Sequence, residues 1–426
     1  MTIDQLHQLF LQNNGGICTD TRKIINNTLF FALKGENFNG NTYAKQAIEL
    51  GASHAIIDEP KFKTSDKYIL VDDVLKTLQE LASYHRKYLA LPIIALTGSN
   101  GKTTTKELIN CVLSTSFKTK ATVGNLNNHI GVPLTLLSMT KDTQIGIVEM
   151  GANHLDEIDL LCSIAQPDYG YITNIGKAHL EGFGGIEGVL KGKTELYRHL
   201  KKRNKLIILN QDDPKLLKAS SGITTYNFSQ SSTSDVSIQL LETNPNVTVS
   251  YQNKVIKSNL IGAYNFTNIA SAIAFGSYFN ISPDKIKTAI ESYTPTNNRS
   301  QIINKEGYTI ILDAYNANPT SMDAAIDNFS QSNADAKIAF LGDMFELGND
   351  AAIEHQKITD RICNTQVQEI YLIGTIFFGT NCNDSRVQKY ESFDKLVNNW
   401  NLKNKKGTIL IKGSRGMKLE RILDFL

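Results

Sequence analysis

Within eight positions, Thr97-Gly98-Ser99-Asn100-Gly101-Lys102-Thr103-Thr104 brings together two glycines, a lysine and a run of hydroxyls. Glycines let backbone N–H groups turn toward one point, a lysine adds positive charge, and a hydroxyl can hold a hard cation. The segment therefore suits nucleotide phosphates. Lys102 is expected at the β- and γ-phosphates and Thr103 on Mg2+, with Gly98, Ser99, Asn100, Gly101 and Thr104 around the phosphate oxygens. The text departs from G-x-x-x-x-G-K-[ST], because Leu96 stands where the first glycine belongs and Gly98 supplies the early one. A glycine turn between strand and helix can be purely structural, but Gly-Lys-Thr at such a junction favours phosphate chemistry.

Three further side chains could share that chemistry. Glu149 ends the apolar run Ile145 to Val148, which puts a carboxylate at the mouth of a strand, where open α/β sheets bind ligands. A solvated strand end is the alternative, and the phosphate loop nearby favours Mg2+, which takes one or two carboxylates beside phosphates and water. His179 follows another apolar run, in Asn174-Ile175-Gly176-Lys177-Ala178-His179-Leu180-Glu181, where a lone histidine is more often a satisfied surface or core residue than a ligand. Lys193, in Val189-Leu190-Lys191-Gly192-Lys193-Thr194-Glu195, reads by itself as a solvated helical lysine beside Lys191 and Arg198.

The elements that position these residues follow from apolar spacing. Short runs at Leu29 to Leu33 and Ala52 to Asp58, with a helical stretch Thr42 to Leu50 between them, make a small α/β unit. Helical spacing from Leu75 to Tyr88 is broken at Leu91-Pro92. Ile93 to Leu96, the phosphate loop and the helical pattern Lys102 to Leu113 form a strand, loop and helix. Runs at Ile145 to Val148, Tyr169 to Ile175 and Leu206 to Leu209 extend this into a mainly parallel sheet covered by helices. Beyond the polar break Ser229 to Asp235, Val236 to Lys257 alternates like antiparallel strands, and Ala263 to Phe279 is a small-residue helix. After Thr294 to Arg299, strands at Thr309 to Leu312, Ile338 to Leu341, Glu369 to Ile373 and Thr408 to Ile411 predict a Rossmann-like unit. The expected fold is α/β in three domains: residues 1–90 small, 91–298 central with the phosphate loop, and 299–426 C-terminal.

With 44 Lys+Arg against 42 Asp+Glu, the formal charge of the 426-residue chain is only +2. No strong field selects nucleic acid or an anionic membrane as partner. The five cysteines are scattered without a CxxC, which suits reduced thiols used as small hydrophobes. Met1 to Thr21 has no Lys or Arg, so no signal peptide is expected and the location is cytoplasmic. The most apolar stretch, Leu89 to Leu96, is interrupted by Pro92 and far shorter than the roughly 20 residues a bilayer span needs, so no membrane insertion is expected. A monomer is the default.

The shortened loop Thr-Gly-Ser-Asn-Gly-Lys-Thr-Thr resembles that of the Mur ligase superfamily, whose members join an amino acid or peptide to a carboxylate through an acyl phosphate. The resemblance runs along the chain. Thr19-Asp20-Thr21-Arg22 with Leu29 to Gly35 is similar to the UDP-binding domain of the D-alanyl-D-alanine-adding branch. Gly124 to Pro133, Asp313 to Pro319, Leu341 to Gly348 and Lys412-Gly413-Ser414-Arg415-Gly416 look like the same branch, and several of these differ in sister ligases.

The resemblance implies Glu149 and His179 as metal ligands and Lys193 as a lysine carbamylated by CO2, with Lys191 as a neighbouring candidate. It implies Asn265 and Asn268 at adenine, Arg299 at an ATP phosphate and Asp313 at ribose. Tyr264 stands in place of the usual histidine, and Asn298 in place of the glycine before Arg299. Thr21, Arg22, Lys34, Asn127, Asn128, Asn316 and Asn318 are implied on the substrate side, with helix capping as the alternative role of the last two. His129 and His154 remain possible substrate-side residues.

The implied substrates are ATP with Mg2+, a UDP-N-acetylmuramoyl-tripeptide and D-alanyl-D-alanine. A sister ligase adding one amino acid would share Lys102, Glu149 and Lys193, so Asp313 to Pro319 and Leu341 to Gly348 discriminate. A P-loop phosphotransferase would lack the first and third domains. Whether the tripeptide ends in meso-diaminopimelate or lysine is open.

Overall fold

The computed structural model describes residues 1–13, 16–334, 336–399 and 407–426. The N-terminal unit is a parallel sheet in the order Ile17–Cys18, Leu29–Phe31, His54–Ile57, Tyr68–Leu70. Its helix Val74–Leu89 starts where the Asp73 carboxylate accepts from Lys76 N, and Val74, Leu78, Leu81, Ala82 and His85 give it one buried face. The helix stops because Ala90 turns left-handed, at φ +51°, ahead of Leu91-Pro92.

That face packs on the helices Gly131–Leu137 and Glu157–Ala165 of the central unit, and one apolar core runs across both units. Polar contacts fix the joint. His7 Nε2 lies 3.0 Å from His85 Nδ1, and His85 Nε2 lies 3.0 Å from the Met139 carbonyl, a chain of neutral rings whose pKa values burial lowers. Arg86 donates to the Ala165 and Gln166 carbonyls, each at 3.1 Å, and to Asp168 at 2.8 Å. Arg86→Ala should cost about 2–3 kcal/mol, since it removes charge-assisted bonds and leaves Asp168 to Lys205 and the Ile93 N–H. A melting midpoint equal to wild type would contradict this.

The central sheet has seven strands, all parallel, in the order Val236–Ser237, Thr224–Ser229, Leu206–Asn210, Tyr169–Ile172, Ile93–Thr97, Ile145–Glu149, Thr119–Ala121. The antiparallel reading of Val236 to Lys257 needs one correction. Val236–Ser237 pairs in parallel with Thr224–Ser229 as the sheet edge, so antiparallel pairing starts only with Gln239–Glu242, Thr248–Tyr251 and Lys254–Lys257. The helices Lys102–Leu113 and Asn265–Tyr278 pack together on one face of the main sheet.

The third sheet runs Gln301–Lys305, Tyr308–Asp313, Gly407–Lys412, Lys337–Gly342, Glu369–Ile373, Val387–Tyr390. Only its first strand is antiparallel, returned by a hairpin in which Glu306 and Gly307 take φ of +50° and +85°. Cys18 and Cys162 are buried as small hydrophobes, whereas Cys111, Cys363 and Cys382 are only half-buried. The fold brings the sulfurs of Cys363 and Cys382 to 3.2 Å. Among the described residues, no helix is long and apolar enough to cross a membrane.

Candidate active site

Strand Ile93–Thr97 is wholly buried and delivers the loop at its C-terminal end. Gly98, at φ +139°, cannot carry a side chain, because a Cβ would come within 2.0 Å of Thr173 Oγ1. Gly101, at φ +81°, would meet Asn268 Oδ1 at 2.5 Å. Ser99 Oγ donates to the Gly176 carbonyl at 3.0 Å and accepts from Gly176 N at 2.9 Å, and the Asn100 N–H donates to Asn174 Oδ1 at 3.1 Å. The loop is thus held from the next strand's exit. Lys102 begins the helix and folds back, its Nζ 2.7 Å from the Gly98 carbonyl and 3.2 Å from that of Ser99. Burial pushes the Lys102 amine down to about 8, while Glu149 draws it upward and Arg299 lowers it further. Thr103 and Thr104 are buried in the same turn.

Glu149 is 2% exposed, so its reading as a solvated strand end is excluded. Asn127 Nδ2 donates to its Oε1 at 2.8 Å, and Oε2 is buried with no partner. An orphaned carboxylate oxygen at a phosphate loop is a place for a cation. Asn127 also accepts the Gly151 N–H on its carbonyl, and Asn128 Oδ1 accepts from Ile130 N and Gly131 N, which turns the chain into the helix Gly131–Leu137.

Lys193 departs most from its sequence reading as a solvated helical lysine. It is wholly buried, with Nζ donating to the Ala152 carbonyl at 2.8 Å and lying 4.9 Å from the centre of the Phe183 ring. Burial, then repulsion from Lys102, holds its amine well below the usual lysine range, against Glu157 and Glu195. Lys191, two residues earlier, is exposed. Spacing to Glu195 already favours Lys193 over Lys191 in the sequence, and the helix Ile186–Lys193 turns only Lys193 of the two inward.

A cleft of about 780 Å3 lies between the central and third units. From the central unit it is lined by Ser99 to Thr104, Asn127, Asn128, His129, Glu149, His179, Asn265 and Asn268. From beyond residue 298 it takes Arg299, Asp313, Tyr315, Asn316 and Asn318. His179 has φ +52° and pairs through Nδ1 with Glu346, leaving Nε2 as its remaining ring nitrogen. Asn268 Oδ1 accepts from Thr105 Oγ1 at 2.9 Å, and its Nδ2 donates to Asn265 Oδ1 at 2.7 Å, so this pair braces the loop helix as well as lining the cleft.

The Arg299 guanidinium stacks 3.7 Å over the Tyr315 ring, with its Nε buried and unpartnered. The turn before it survives the glycine-to-asparagine departure because Asn298 itself adopts φ +57°. Asp313 accepts from Ser300 N at 3.2 Å and pairs with Lys412. Asn318 caps the helix Pro319–Gln331 through Ser321 N, and its Nδ2 donates to Asn100 Oδ1 at 2.7 Å. Asn316 Oδ1 accepts from the Ala317 N–H, closing the turn ahead of that cap.

Not every predicted residue joins the cleft. Thr21, Arg22 and Lys34 are outside its lining and sit on the N-terminal unit. Arg22 is exposed and folds back on Asp20, at 2.9 and 2.7 Å, while Lys34 pairs with Asp58 at 3.0 Å. His154 also lies outside the lining. Conversely, sequence reading gave no role to Tyr315, Arg415 or Glu346. Arg415 donates to the Tyr315 hydroxyl at 3.2 Å, so Tyr315 sits between two guanidinium groups. Their motifs were visible; their convergence was not. Tyr264, which stands in place of the usual histidine, lines the cleft and bonds Ser300 through its hydroxyl at 2.8 Å.

Family profiles match three successive segments: "Mur ligase family, catalytic domain" at residues 15–86, "Mur ligase middle domain" at 96–276, and "Mur ligase, glutamate ligase domain" at 298–415. The UDP-N-acetylmuramoyl-tripeptide–D-alanyl-D-alanine ligase of Bacillus subtilis (strain 168) is 37% identical over 96% of this chain and 93% of its own. That of Escherichia coli (strain K12) is 30% identical over 96% and 93%. The crystal structure of MurF from Acinetobacter baumannii superposes with a TM-score of 0.85 at 30% identity, covering 99% of this chain and 98% of that one. MurF ligase from Thermotoga maritima in complex with ADP gives 0.83 at 26% identity, with 96% of each chain covered. With its phosphate loop, three successive matches and near-complete coverage of its relatives, the chain belongs to the Mur ligase family.

Proposed function

We propose that this chain uses ATP to join D-alanyl-D-alanine to the terminal carboxylate of a UDP-N-acetylmuramoyl-tripeptide, in cytoplasmic peptidoglycan precursor synthesis. The observation that carries this reading is end-to-end similarity to relatives bearing that activity in their names, combined with a phosphate loop facing a second unit across one cleft. The divisions 1–90, 91–298 and 299–426 then serve as the UDP-muramoyl, ATP and closing domains of a monomer.

A free carboxylate does not form an amide efficiently, because oxide is a very poor leaving group. The tripeptide carboxylate attacks the γ-phosphorus in line, ADP leaves, and an acyl phosphate forms. The neutral amine of D-alanyl-D-alanine then attacks the acyl carbon, and the tetrahedral intermediate expels phosphate while the amine loses its proton. Lys102 and the loop N–H groups stabilise the charge developing on the transferred phosphoryl oxygens. Asn265 and Asn268 border the adenine, Arg299 reaches a phosphate, and Asp313 takes the ribose. Asn127, Asn128, Asn316 and Asn318 border the reacting ends of the other substrates. Closing the third unit over the cleft keeps water from the acyl phosphate.

The donor set fits Mg2+. Among the described residues no group of three or more His, Cys, Asp and Glu forms a metal cage, and Mg2+ prefers one or two carboxylates completed by phosphates and water. The buried, unpartnered Oε2 of Glu149 and the hydroxyl of Thr103 suit it, with His179 and a carbamate on Lys193 serving a second ion. When bound, the cation would neutralise charge on the nucleotide phosphates. Burial favours the neutral amine, which is the form that adds CO2, losing one proton to give the carbamate.

Incubating the enzyme with ATP, Mg2+, D-alanyl-D-alanine and each of the two UDP-tripeptides, ending in meso-diaminopimelate or lysine, tests the function. A product heavier by one dipeptide less water, with phosphate release dependent on the amine, is expected. Phosphate release indifferent to the amine would favour a phosphotransferase. Arg22→Ala should raise the KM for the UDP-tripeptide about tenfold, as loss of a charged hydrogen bond does, and that for ATP much less. Equal shifts in both would contradict substrate binding by the N-terminal unit.

A further inference from the structure

Residues 173–179 connect the strand Tyr169–Ile172 to the helix Leu180–Phe183, and this short connection touches the third unit at several points. The Lys177 N–H donates to Thr320 Oγ1 at 3.0 Å, and Lys177 Nζ donates to Glu354 Oε1 at 2.7 Å. Two residues on, His179 meets Glu346. Glu354 belongs to the helix Ala351–Cys363 and is 6% exposed, so its carboxylate needs a cation. It has two: Lys357, one turn further along the same helix, reaches the same Oε1 at 2.8 Å.

We propose that Lys177 is a positioning residue that latches the third unit against the central one and so holds the His179 connection in place at the cleft. The division of labour between the two lysines carries the argument. Lys357 travels with Glu354 and neutralises it whether the units are together or apart, so burial of that carboxylate never goes uncompensated. Lys177 reaches Glu354 only when the units are docked. Its pairing energy therefore enters the docking equilibrium and not the folding of either unit. Any ligand that needs both sides of the cleft binds more weakly, in proportion to the docked fraction lost.

The proposal rests on the cleft being the ATP site, and the test separates the two. Binding of a non-hydrolysable ATP analogue to wild type, by calorimetry, checks the cleft first, with Lys102→Ala expected to abolish it. Lys177→Ala and Lys177→Gln should then raise the KM for ATP about threefold to tenfold, with kcat changed less and the melting midpoint unchanged. Lys177→Arg should restore the wild-type KM. Small-angle scattering should find analogue-loaded Lys177→Ala more expanded than loaded wild type. In a Glu354→Gln background, Lys177→Ala should add less than about twofold, since the partner is already gone. A KM for ATP and a radius of gyration equal to wild type would overturn the latch, as would an undiminished effect of Lys177→Ala in Glu354→Gln.

Discussion

Lys102→Ala should abolish ligation while leaving binding of the UDP-linked tripeptide nearly intact. Its Nζ bonds the carbonyls of its own loop, Gly98 and Ser99, and makes no ion pair among the described residues, so the substitution removes a charge at the phosphates without breaking a long-range contact there. Loss of one well-placed stabilising donor slows the chemical step by about 100- to 1000-fold. Burial lowers this amine to about 8, and bound phosphate would draw it back up and secure its charge, a response that a neutral substitute cannot make. Calorimetry with the UDP-tripeptide would show whether the N-terminal unit still binds, and turnover within a few-fold of wild type would sink the phosphate-loop assignment.

Lys193→Ala is expected to have an effect of the same order. The side chain is wholly buried between the Ala152 carbonyl and the Phe183 ring, where a permanent ammonium is costly and a carbamate, an anion with two oxygens, is chemically distinct from anything alanine or arginine provides. Both replacements should therefore fail, alanine for want of an oxygen ligand and arginine because it restores the wrong charge. Formate or acetate can enter the space that alanine leaves and supply the missing oxygens. Partial rescue by either acid, and none by chloride at equal ionic strength, is the expected result. Exposed Lys191 serves as the control, and its alanine variant should stay within about twofold of wild type, as surface changes usually do. Unfolding midpoints recorded alongside separate the cavity from the lost ligand. A fully active Lys193→Ala in the absence of acid would end the carbamate assignment.

The sequence made the interior strands legible because parallel strands covered on both faces are continuous apolar runs, as in Ile93–Thr97 and Ile145–Glu149. Edge strands carry no such run. Thr119–Ala121, Gln301–Lys305 and Val387–Tyr390 are polar and short or half-exposed, as is Thr224–Ser229 next to the edge, and none stood out. The same contrast holds in the site. Glu149 and the phosphate loop were readable because each sits where a strand ends. Burial of Lys193 was not, since a lysine flanked by another lysine and a glutamate has the local pattern of a solvated helix. Nor were the pairings His179 with Glu346 and Asn318 with Asn100, because each depends on how two separately folded sheets meet, nor the packing of Arg299 and Arg415 on Tyr315, because it depends on which strands of the third sheet become neighbours.

Asn318 reaches from the start of the helix Pro319–Gln331 to the tip of the phosphate loop and clasps Asn100. Both side chains line the cleft proposed for ATP, so the clasp bridges the two walls between which the nucleotide would enter and leave. A tighter clasp would protect more acyl phosphate from hydrolysis and release product more slowly; a looser one would turn over faster and waste more ATP. In the proposed site, the exchange between speed and protection of the acyl phosphate would run partly through a single amide-to-amide hydrogen bond.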